Sequence, residues 1–340
     1  MKNILIAALD EKSGKSVIAY AIAALSGKRF GYMKPMGNNV IYREKKVMDQ
    51  DAILFSSLMG NEISPERMCI GMSHSKITHF YEDALEEFMK RYEEISKDKE
   101  LFIVEGGEFI WKGASLKLDA FSISKAIDAE IIFVILGDYY EMLDEIEYLG
   151  KIKNMLPVKG FILNGVDEED AMKIKNAASR YSLKYLGFLP TIKKLRTMKV
   201  SYVVDKLFGR VVAGENGLNK EIENIFIAAL SASEIKRHPD FGKEKKLIIT
   251  GGDRSDVIAA CLDERTSAII LTNNIVPSAK ILAMANDMQI PLISVRTDTY
   301  TVARMVEGIK PVIMPDEKEK LMEIEREARG RILMDEILTN

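Results

Sequence analysis

The stretch Ser13-Gly14-Lys15-Ser16 constrains the fold of this 340-residue chain more than any other. It follows a continuously apolar run, residues 4–8, and precedes an apolar helical pattern that begins at Val17. Because a continuous apolar run is typical of a strand that is buried on both faces, we predict a parallel strand, a short loop and a helix. A chain that opens in this way is expected to build a parallel sheet.

The loop between this strand and helix predicts a phosphate site. Backbone amides of a glycine loop and of a helix start point toward an anion. Lys15 would neutralise the outer phosphates as a candidate catalytic residue, and the Ser16 hydroxyl would bind Mg²⁺. The motif is incomplete, since Leu9 stands where G-x-x-x-x-G-K-[ST] requires glycine. The expected nucleotide-binding residues of this segment are Lys12, Ser13, Gly14, Lys15, Ser16 and Val17.

Two further predicted strands end in charged residues. Lys34 closes a short strand in residues 29–34, and Glu105 follows the apolar residues 101–104. Because the carboxyl ends of parallel strands line one crevice, both residues are expected beside Lys15. Lys34 is then a second candidate catalytic residue, or a solvated lysine at a strand end. Glu105 is a second carboxylate associated with Mg²⁺, or part of a simple turn.

Asp51 and Asn164 each allow two interpretations. Asp51 either caps a helix predicted over residues 52–59 or offers a carboxylate to Mg²⁺. Asn164 follows a predicted strand over residues 158–163. Its amide either hydrogen-bonds a purine edge or stabilises a turn.

Strands and helices alternate through residue 190, which predicts an α/β fold with a doubly wound, mostly parallel sheet of the P-loop NTPase type. A basic segment at residues 192–196 marks a boundary, so we assign residues 1–195 to a nucleotide-binding domain. Residues 196–340 form a second, smaller, three-layer α/β domain that ends in a charged helix over residues 316–338. Within it we expect a helix in residues 218–233 and a short strand near Val312.

The second predicted domain has its own glycine turn, Gly251-Gly252-Asp253-Arg254. These four residues are a candidate ligand site, because glycines again join a strand to a helix. The alternative is a tight structural turn, in which Asp253 caps the helix and Arg254 pairs with Asp256 or Asp298.

Composition excludes several functions. The net charge of −3 gives no global attraction to nucleic acid or to an acidic membrane. No window is long and apolar enough to span a bilayer, and Met1 leads directly into the first strand without a signal peptide, so we expect a cytoplasmic protein. Cys69 and Cys261 lie in different predicted domains and form no disulfide framework.

The motifs at residues 10–16, 31–35, 50–52, 104–106 and 160–164 occur in the order seen in dethiobiotin synthetase-like P-loop proteins. That group includes the N-terminal region of long phosphate acetyltransferases. Residues 250–256, 271–272 and 298–300 resemble the DRTGG domain that follows the P-loop domain in the same acetyltransferases. The resemblance covers nearly the whole chain.

The resemblance implies ATP and Mg²⁺ as cofactors. Asp51 and Glu105 would complete the Mg²⁺ site with Ser16, Asn164 would face adenine, and Lys34 would serve the substrate side. The turn at residues 106–109 replaces a longer glycine-rich turn of the synthetase. The acetyltransferase catalytic domain has no counterpart here, so we expect no acetyl phosphate synthesis by this chain alone.

Two functions remain open. The first is a sensing module that binds a nucleotide in the first domain and a metabolite or partner in the second. The alternative is an ATP-dependent ligase that acts on a small carboxylate or carbamate, as dethiobiotin synthetase does. A scaffold with a decayed site is disfavoured, because Lys15 and Ser16 are intact. By analogy with both groups we expect a homo-oligomer, a dimer.

Overall fold

The computed structural model describes residues 1–11, 13–43 and 46–339. Lys12, one of the expected nucleotide-binding residues, lies outside the described residues. The chain divides into two units, Met1–Ile192 with Ile313–Asn340, and Lys193–Val312. None of the helices within the described ranges is long and apolar enough to cross a membrane.

The first unit is built on a sheet with helical crossovers. Its strands are β1 (Lys2–Ala7), β2 (Phe30–Met33), β3 (Val40–Arg43), β4 (Lys46–Asp49), β5 (Leu101–Glu105), β6 (Glu130–Ile135), β7 (Val158–Asn164) and β8 (Tyr185–Leu189). Its helices before the second unit are α1 (Lys15–Leu25), α2 (Gln50–Leu58), α3 (His74–Phe80), α4 (Ala84–Ile95), α5 (Ala120–Ala126), α6 (Tyr139–Ile152) and α7 (Glu168–Ala178). Six strands form one parallel sheet in the order β2-β5-β1-β6-β7-β8. The predicted fold class is therefore confirmed.

The short hairpin of β3 and β4 was not predicted. The two strands pair antiparallel, from Val40 opposite Asp49 to Arg43 opposite Lys46. Charged residues interrupt the apolar alternation that would identify strands of this length. The second strand of the hairpin, β4, ends at Asp49, directly before α2.

Asp49 caps helix α2, which corrects the interpretation of Asp51 as its cap. The Asp49 carboxylate accepts hydrogen bonds from the backbone amides of Asp51 and Ala52, at 2.9 and 3.3 Å. Asp51 lies in the first turn of the helix, where a carboxylate also interacts favourably with the helix dipole. Its side chain remains available for a different role.

The second unit is a smaller α/β unit, as predicted. Its strands are β9 (Met198–Lys199), β10 (Arg210–Ala213), β11 (Glu221–Ile222), β12 (Asn224–Ile227), β13 (Lys246–Gly251), β14 (Thr266–Thr272) and β15 (Leu292–Ser294). Its helices are α8 (Val200–Leu207), α9 (Ala232–Ile235), α10 (Ser255–Cys261), α11 (Ala279–Asp287) and α12 (Thr299–Glu307). The main sheet has the order β10-β15-β14-β13-β12, and only β10 is antiparallel to its neighbour.

The helix expected in residues 218–233 is wrong over most of its length. The segment contains β11 and β12, and α9 begins only at its end. The run Ile225-Phe226-Ile227 pairs with β13 in parallel register. Branched and aromatic residues suit a strand once a neighbouring strand is present, and short apolar runs do not distinguish the two structures.

The C-terminal segment belongs to the first unit, which corrects its assignment to the second domain. It forms two helices, α13 (Lys318–Ala328) and α14 (Met334–Leu338), and the strand expected near Val312 does not form. The Tyr20 hydroxyl of α1 donates to Glu325 of α13 at 2.5 Å. Beyond α13, Ile332 pairs as an antiparallel bridge with Gly187 in β8. These long-range contacts carry no local sequence signal.

Candidate functional site

The candidate site lies at the carboxyl edge of the first unit's sheet. The sheet order reverses around β1, because β5 lies on one side of it and β6 on the other. Ligands of open α/β sheets bind at such a switch point. The loop after β1, Lys34 after β2, Glu105 at the end of β5 and Asn164 at the end of β7 all lie at this edge.

The glycine loop leads directly into α1. Gly14 has φ +86° and precedes the helix, which begins without a side-chain cap. The buried Lys15 Nζ lies 3.5 Å from Ser13 Oγ and 3.3 Å from the carbonyl oxygen of Glu108. The loop thus combines uncapped helix amides with an ammonium group, which is the arrangement that binds phosphate.

Lys34 lies among three buried carboxyl groups. It pairs with Asp51, and its Nζ is 3.4 Å from Glu105 Oε1 and 3.6 Å from Asp49 Oδ2. Burial lowers the pKa of Lys34, but the three carboxylates outweigh burial and hold it well above its usual range. For Asp51, burial raises the pKa, but the Lys34 ammonium together with hydrogen bonds from Asn39 and Ser16 leaves it below the usual range.

Glu105 connects this cluster to the glycine loop. It accepts hydrogen bonds from Ser16 Oγ at 3.0 Å and from the Tyr32 hydroxyl at 2.9 Å. Burial raises the pKa of Glu105 and also that of Tyr32, which in addition faces the Glu105 carboxylate. The Lys34 ammonium lies within 4 Å of all three carboxyl groups. The Lys15 ammonium also acts on Glu105 and lowers its pKa, against the larger effect of burial.

The fold gathers most of the residues that the sequence singled out. Ser13, Gly14, Lys15, Ser16, Lys34, Asp51 and Glu105 form one connected group, and Val17 follows within α1. Sequence reasoning missed Asp49, Tyr32 and Asn39, whose Nδ2 donates to Asp51 at 3.0 Å. Tyr32 lies two residues before Lys34, and alternate residues of a strand share a face, so this spacing was a usable signal.

Asn164 contacts the glycine loop directly. Its Nδ2 donates to the carbonyl oxygen of Ser13 at 2.9 Å. This contact belongs to neither of the two interpretations of Asn164, a purine contact or a local turn. It joins the end of β7 to the loop after β1.

A half-buried carboxyl group stands near the loop on α6. Burial raises the pKa of Glu145 to about 7, and the carboxylates of Asp10 and Glu141 add to the effect. Lys15 acts in the opposite direction and lowers it. The charges of Glu145 and Lys15 therefore influence each other.

A cavity of about 270 Å³ lies beside the turn after β5. Its polar lining includes Asn38, Ser73, His74, Glu108 and Lys112. The backbone carbonyl of Glu108 accepts a hydrogen bond from Lys15 Nζ. This hydrogen bond connects a residue that lines the cavity to the glycine loop.

The glycine turn of the second unit is organised differently. The Arg254 guanidinium donates to the carbonyl oxygen of Ala228 at 2.6 Å and to that of Leu230. Helix α10 has no side-chain cap, so the expected cap by Asp253 and the expected pairing of Arg254 with nearby aspartates are both wrong. A Cβ on Gly252 would lie 1.8 Å from the carbonyl oxygen of Ile275, so this glycine permits a close backbone approach.

Comparison with known proteins identifies the family. A family model described as an AAA domain matches residues 2–199, more than half of the chain. The chain belongs to the AAA domain family. A second model, the DRTGG domain, matches residues 202–309 and follows the AAA domain directly.

The AAA and DRTGG domains are together homologous to the N-terminal region of phosphate acetyltransferases. The enzyme of Nitratidesulfovibrio vulgaris is 22% identical over a match that covers 94% of this chain and 49% of that protein. The enzyme of Pseudomonas aeruginosa is 23% identical over 74% of this chain and 39% of its own length. This chain therefore spans about half or less of these relatives. 

Among solved structures, a ParA family ATPase from Chlorobium tepidum is similar over 57% of this chain and 86% of its own, with 15% identity and a TM-score of 0.38. The fold assignment of the AAA domain rests on its strand order and on the family match.

Proposed function

We propose that the AAA domain binds Mg²⁺–ATP and that the chain works as a nucleotide- or metabolite-sensing module. One observation carries the proposal: the glycine loop with Lys15 adjoins a cluster of three buried carboxyl groups at the same sheet edge. A phosphate chain requires amides and cations, and its metal requires oxygen ligands. The Ser16–Glu105 hydrogen bond of 3.0 Å links the glycine loop to the carboxyl cluster.

The residues fit an Mg²⁺ ion that arrives with a nucleotide. The Ser16 hydroxyl and the carboxylates of Asp51 and Glu105 are hard oxygen donors. Within the part of the chain that the structure describes, no group of three or more His, Cys, Asp or Glu side chains is arranged to hold a metal ion by itself. Mg²⁺ usually takes one or two carboxylates and completes its shell with phosphate oxygens and water, so the proposal has the nucleotide supply the remaining ligands.

Each residue has a separate task in this proposal. Bound Mg²⁺ would supply charge neutralisation at the phosphates. Lys15 would neutralise the outer phosphate oxygens, and the α1 amides would bind the oxygens next to the loop. Lys34 would orient Asp51 and Glu105 through its ion pairs. The DRTGG domain would bind a metabolite or partner, and the chain would act as a homo-oligomer.

A second candidate is an ATP-dependent ligase, and the cavity next to Glu108 is the observation that favours it. Asn38, His74 and Lys112 line this cavity and offer hydrogen-bond donors to a small carboxylate or carbamate. An oxygen of that acceptor would attack the terminal phosphorus of ATP, and ADP would leave. Lys15 would stabilise the charge on the transferred group.

Titration calorimetry with Mg²⁺–ATP tests the proposal on the wild type, on Lys15→Ala and on Lys125→Ala. Lys125 is an exposed lysine in the last turn of α5 and serves as the control. We expect wild-type binding, a loss of about a hundredfold or more for Lys15→Ala, and no change for Lys125→Ala. Absence of wild-type binding would overturn both candidate functions.

A phosphate-release assay with pooled small carboxylates then separates the two functions. Binding without turnover supports sensing. Release that depends on an added carboxylate supports the ligase, and the Lys15→Ala variant should abolish it.

A further inference from the structure

We infer that Asp49 is a positioning residue for the proposed Mg²⁺–nucleotide site and is not itself a metal ligand, an inference that rests on the proposed function. Asp49 is the third carboxyl group beside Lys34, and it is almost completely buried. By its chemistry alone it would suit Mg²⁺ as well as Asp51 or Glu105 does. Its hydrogen bonds distinguish it from both.

The hydrogen bonds of the Asp49 carboxylate use its whole acceptor capacity. Oδ1 accepts the backbone amides of Asp51 and Ala52, at 2.9 and 3.3 Å. Oδ2 accepts the backbone amides of Asn38 and Asn39, at 2.9 and 3.0 Å. The two oxygens of a carboxylate offer about four lone-pair positions, so these four amides fill them. A metal ion would have to displace a buried backbone amide, which costs free energy.

The other two carboxylates of the cluster are held by side chains. Glu105 accepts from the Ser16 hydroxyl at 3.0 Å. Asp51 pairs with Lys34 and accepts from the Asn39 side-chain amide at 3.0 Å. A side chain can turn to another partner when a metal ion arrives, whereas a backbone amide at the start of a helix cannot. Asp51 and Glu105 therefore remain the carboxylate ligands of the proposed site.

The four amides on Asp49 belong to two separate segments. One pair directly precedes β3, and the other pair begins α2. Asn38, in the first pair, lines the cavity beside Glu108, and Asp51, in the second pair, is a proposed metal ligand. A Cβ on Gly37 would lie 3.1 Å from Asp49 Cβ, so the first segment packs directly on this side chain. Asp49 thus fixes the cavity wall relative to the metal site before a ligand arrives, which lowers the entropy cost of binding.

Hydrogen exchange of Asp49→Asn tests this role without any ligand. Asparagine has one acceptor oxygen and caps a helix as well as aspartate does, so the variant should keep the cap of α2. The amides of Asn38 and Asn39 then lose their acceptor. We expect exchange in residues 37–39 to be about tenfold faster than in the wild type, with unchanged exchange at the start of α2. Asp49→Ala should release both segments. Wild-type exchange in residues 37–39 of both variants would overturn the inference.

Asp119→Asn is the matched control. Asp119 is also buried, and its Oδ1 accepts two backbone amides at the start of α5, at 3.0 and 3.2 Å. Because these amides belong to a single segment, the control should match the wild type both in the exchange of residues 37–39 and in Mg²⁺–ATP affinity. For Asp49→Asn we expect Mg²⁺–ATP binding to be about tenfold weaker by titration calorimetry.

A cysteine at each position tests metal ligation directly, because a thiolate selects soft metal ions such as Cd²⁺ over Mg²⁺. Titration calorimetry with ATP compares the wild type, Asp51→Cys and Asp49→Cys in Mg²⁺ and in Cd²⁺. We expect Cd²⁺ to strengthen ATP binding to Asp51→Cys by about tenfold or more, and not to Asp49→Cys. Restoration of binding by Cd²⁺ in Asp49→Cys would overturn the inference. If the wild type binds no ATP, the proposed function fails, while the exchange experiment still decides which segments Asp49 holds.

Discussion

The two glycine turns of this protein share a local plan and differ in their chemistry. Each follows a buried parallel strand and precedes a helix. After β1, Lys15 and Ser16 lie beside Lys34 and Glu105. After β13, the Arg254 guanidinium is hydrogen-bonded to two backbone carbonyls.

The comparison shows that two glycine turns after buried strands can have different charged side chains around them. In the first unit, neighbouring strands bring further charged side chains to the turn. In the second unit, Arg254 donates a hydrogen bond to the carbonyl of Ala228, directly after β12. Gly252 allows a close contact with the backbone of Ile275. The charges contributed by neighbouring strands decide the difference.

Removal of Lys34 should produce the largest effect. Lys34→Met leaves Asp49, Asp51 and Glu105 buried without their ammonium, so the free energy of unfolding of the first unit should fall by about 3 kcal/mol. Urea unfolding followed by the fluorescence of Trp111, the chain's single tryptophan, reports on this unit.

The matched control is Lys246→Met in the second unit. Lys246 is also fully buried, and in the described part of the chain its ion pair is with a single carboxylate, that of Asp263, at 3.5 Å. Lys246→Met should lower the free energy of unfolding of the second unit by less than half of the loss expected for Lys34→Met in the first unit. Hydrogen exchange in β13 measures this change. Equal losses would contradict the view that three carboxylates depend on Lys34.

Glu145→Gln should change the pH dependence of stability. Burial raises the pKa of Glu145 from 4.5 to about 7, so the native state favours the protonated form. The stability that this preference gives the native state is fully present at pH values below the pKa of Glu145 in the unfolded chain. It is lost as pH rises through about 7. The glutamine variant lacks this loss. Between pH 5 and pH 8, the free energy of unfolding of the variant should therefore rise relative to that of the wild type, by on the order of 2 kcal/mol.

Urea unfolding at several pH values measures this gain. Asp144→Asn, which removes an exposed carboxylate from the same helix, is the control and should follow the wild type. A Glu145→Gln curve parallel to the wild type would show that Glu145 does not titrate in this range.

Arg254→Ala probes the second turn. Two hydrogen bonds to backbone carbonyls are lost, so the second unit should be destabilised by about 1 to 2 kcal/mol. Hydrogen exchange in β12 and β13 measures this change, and Mg²⁺–ATP affinity should be unaltered. Weaker binding of ATP or tripolyphosphate would mean that this turn is an anion site after all.

Tyr20→Phe should have the smallest effect. It removes the hydrogen bond from α1 to Glu325 in α13 and should cost the first unit about 1 kcal/mol. Trp111 fluorescence during urea unfolding is again the measurement. Tyr148→Phe, at an exposed position on α6, should be neutral. No loss for Tyr20→Phe would argue against a stabilising role of the C-terminal segment in this unit.

Local patterns in the sequence determined much of this protein. Continuous apolar runs identified buried strands such as β1 and β5, because strands buried on both faces admit few polar residues. The charged residues Lys34 and Glu105 could be placed on one rim with Lys15, since parallel strands end at the same edge. The family match supports the same fold.

Tertiary structure alone decided the rest. Long-range packing assigned α13 to the first unit, turned residues 224–227 into a strand, and directed Asn164 to the Ser13 carbonyl. It also made Asp49 the cap of α2 and left Asp51 to pair with Lys34. Sequence spacing reports which residues share an edge or a face, whereas the partner of each polar side chain depends on elements that meet only in the folded chain.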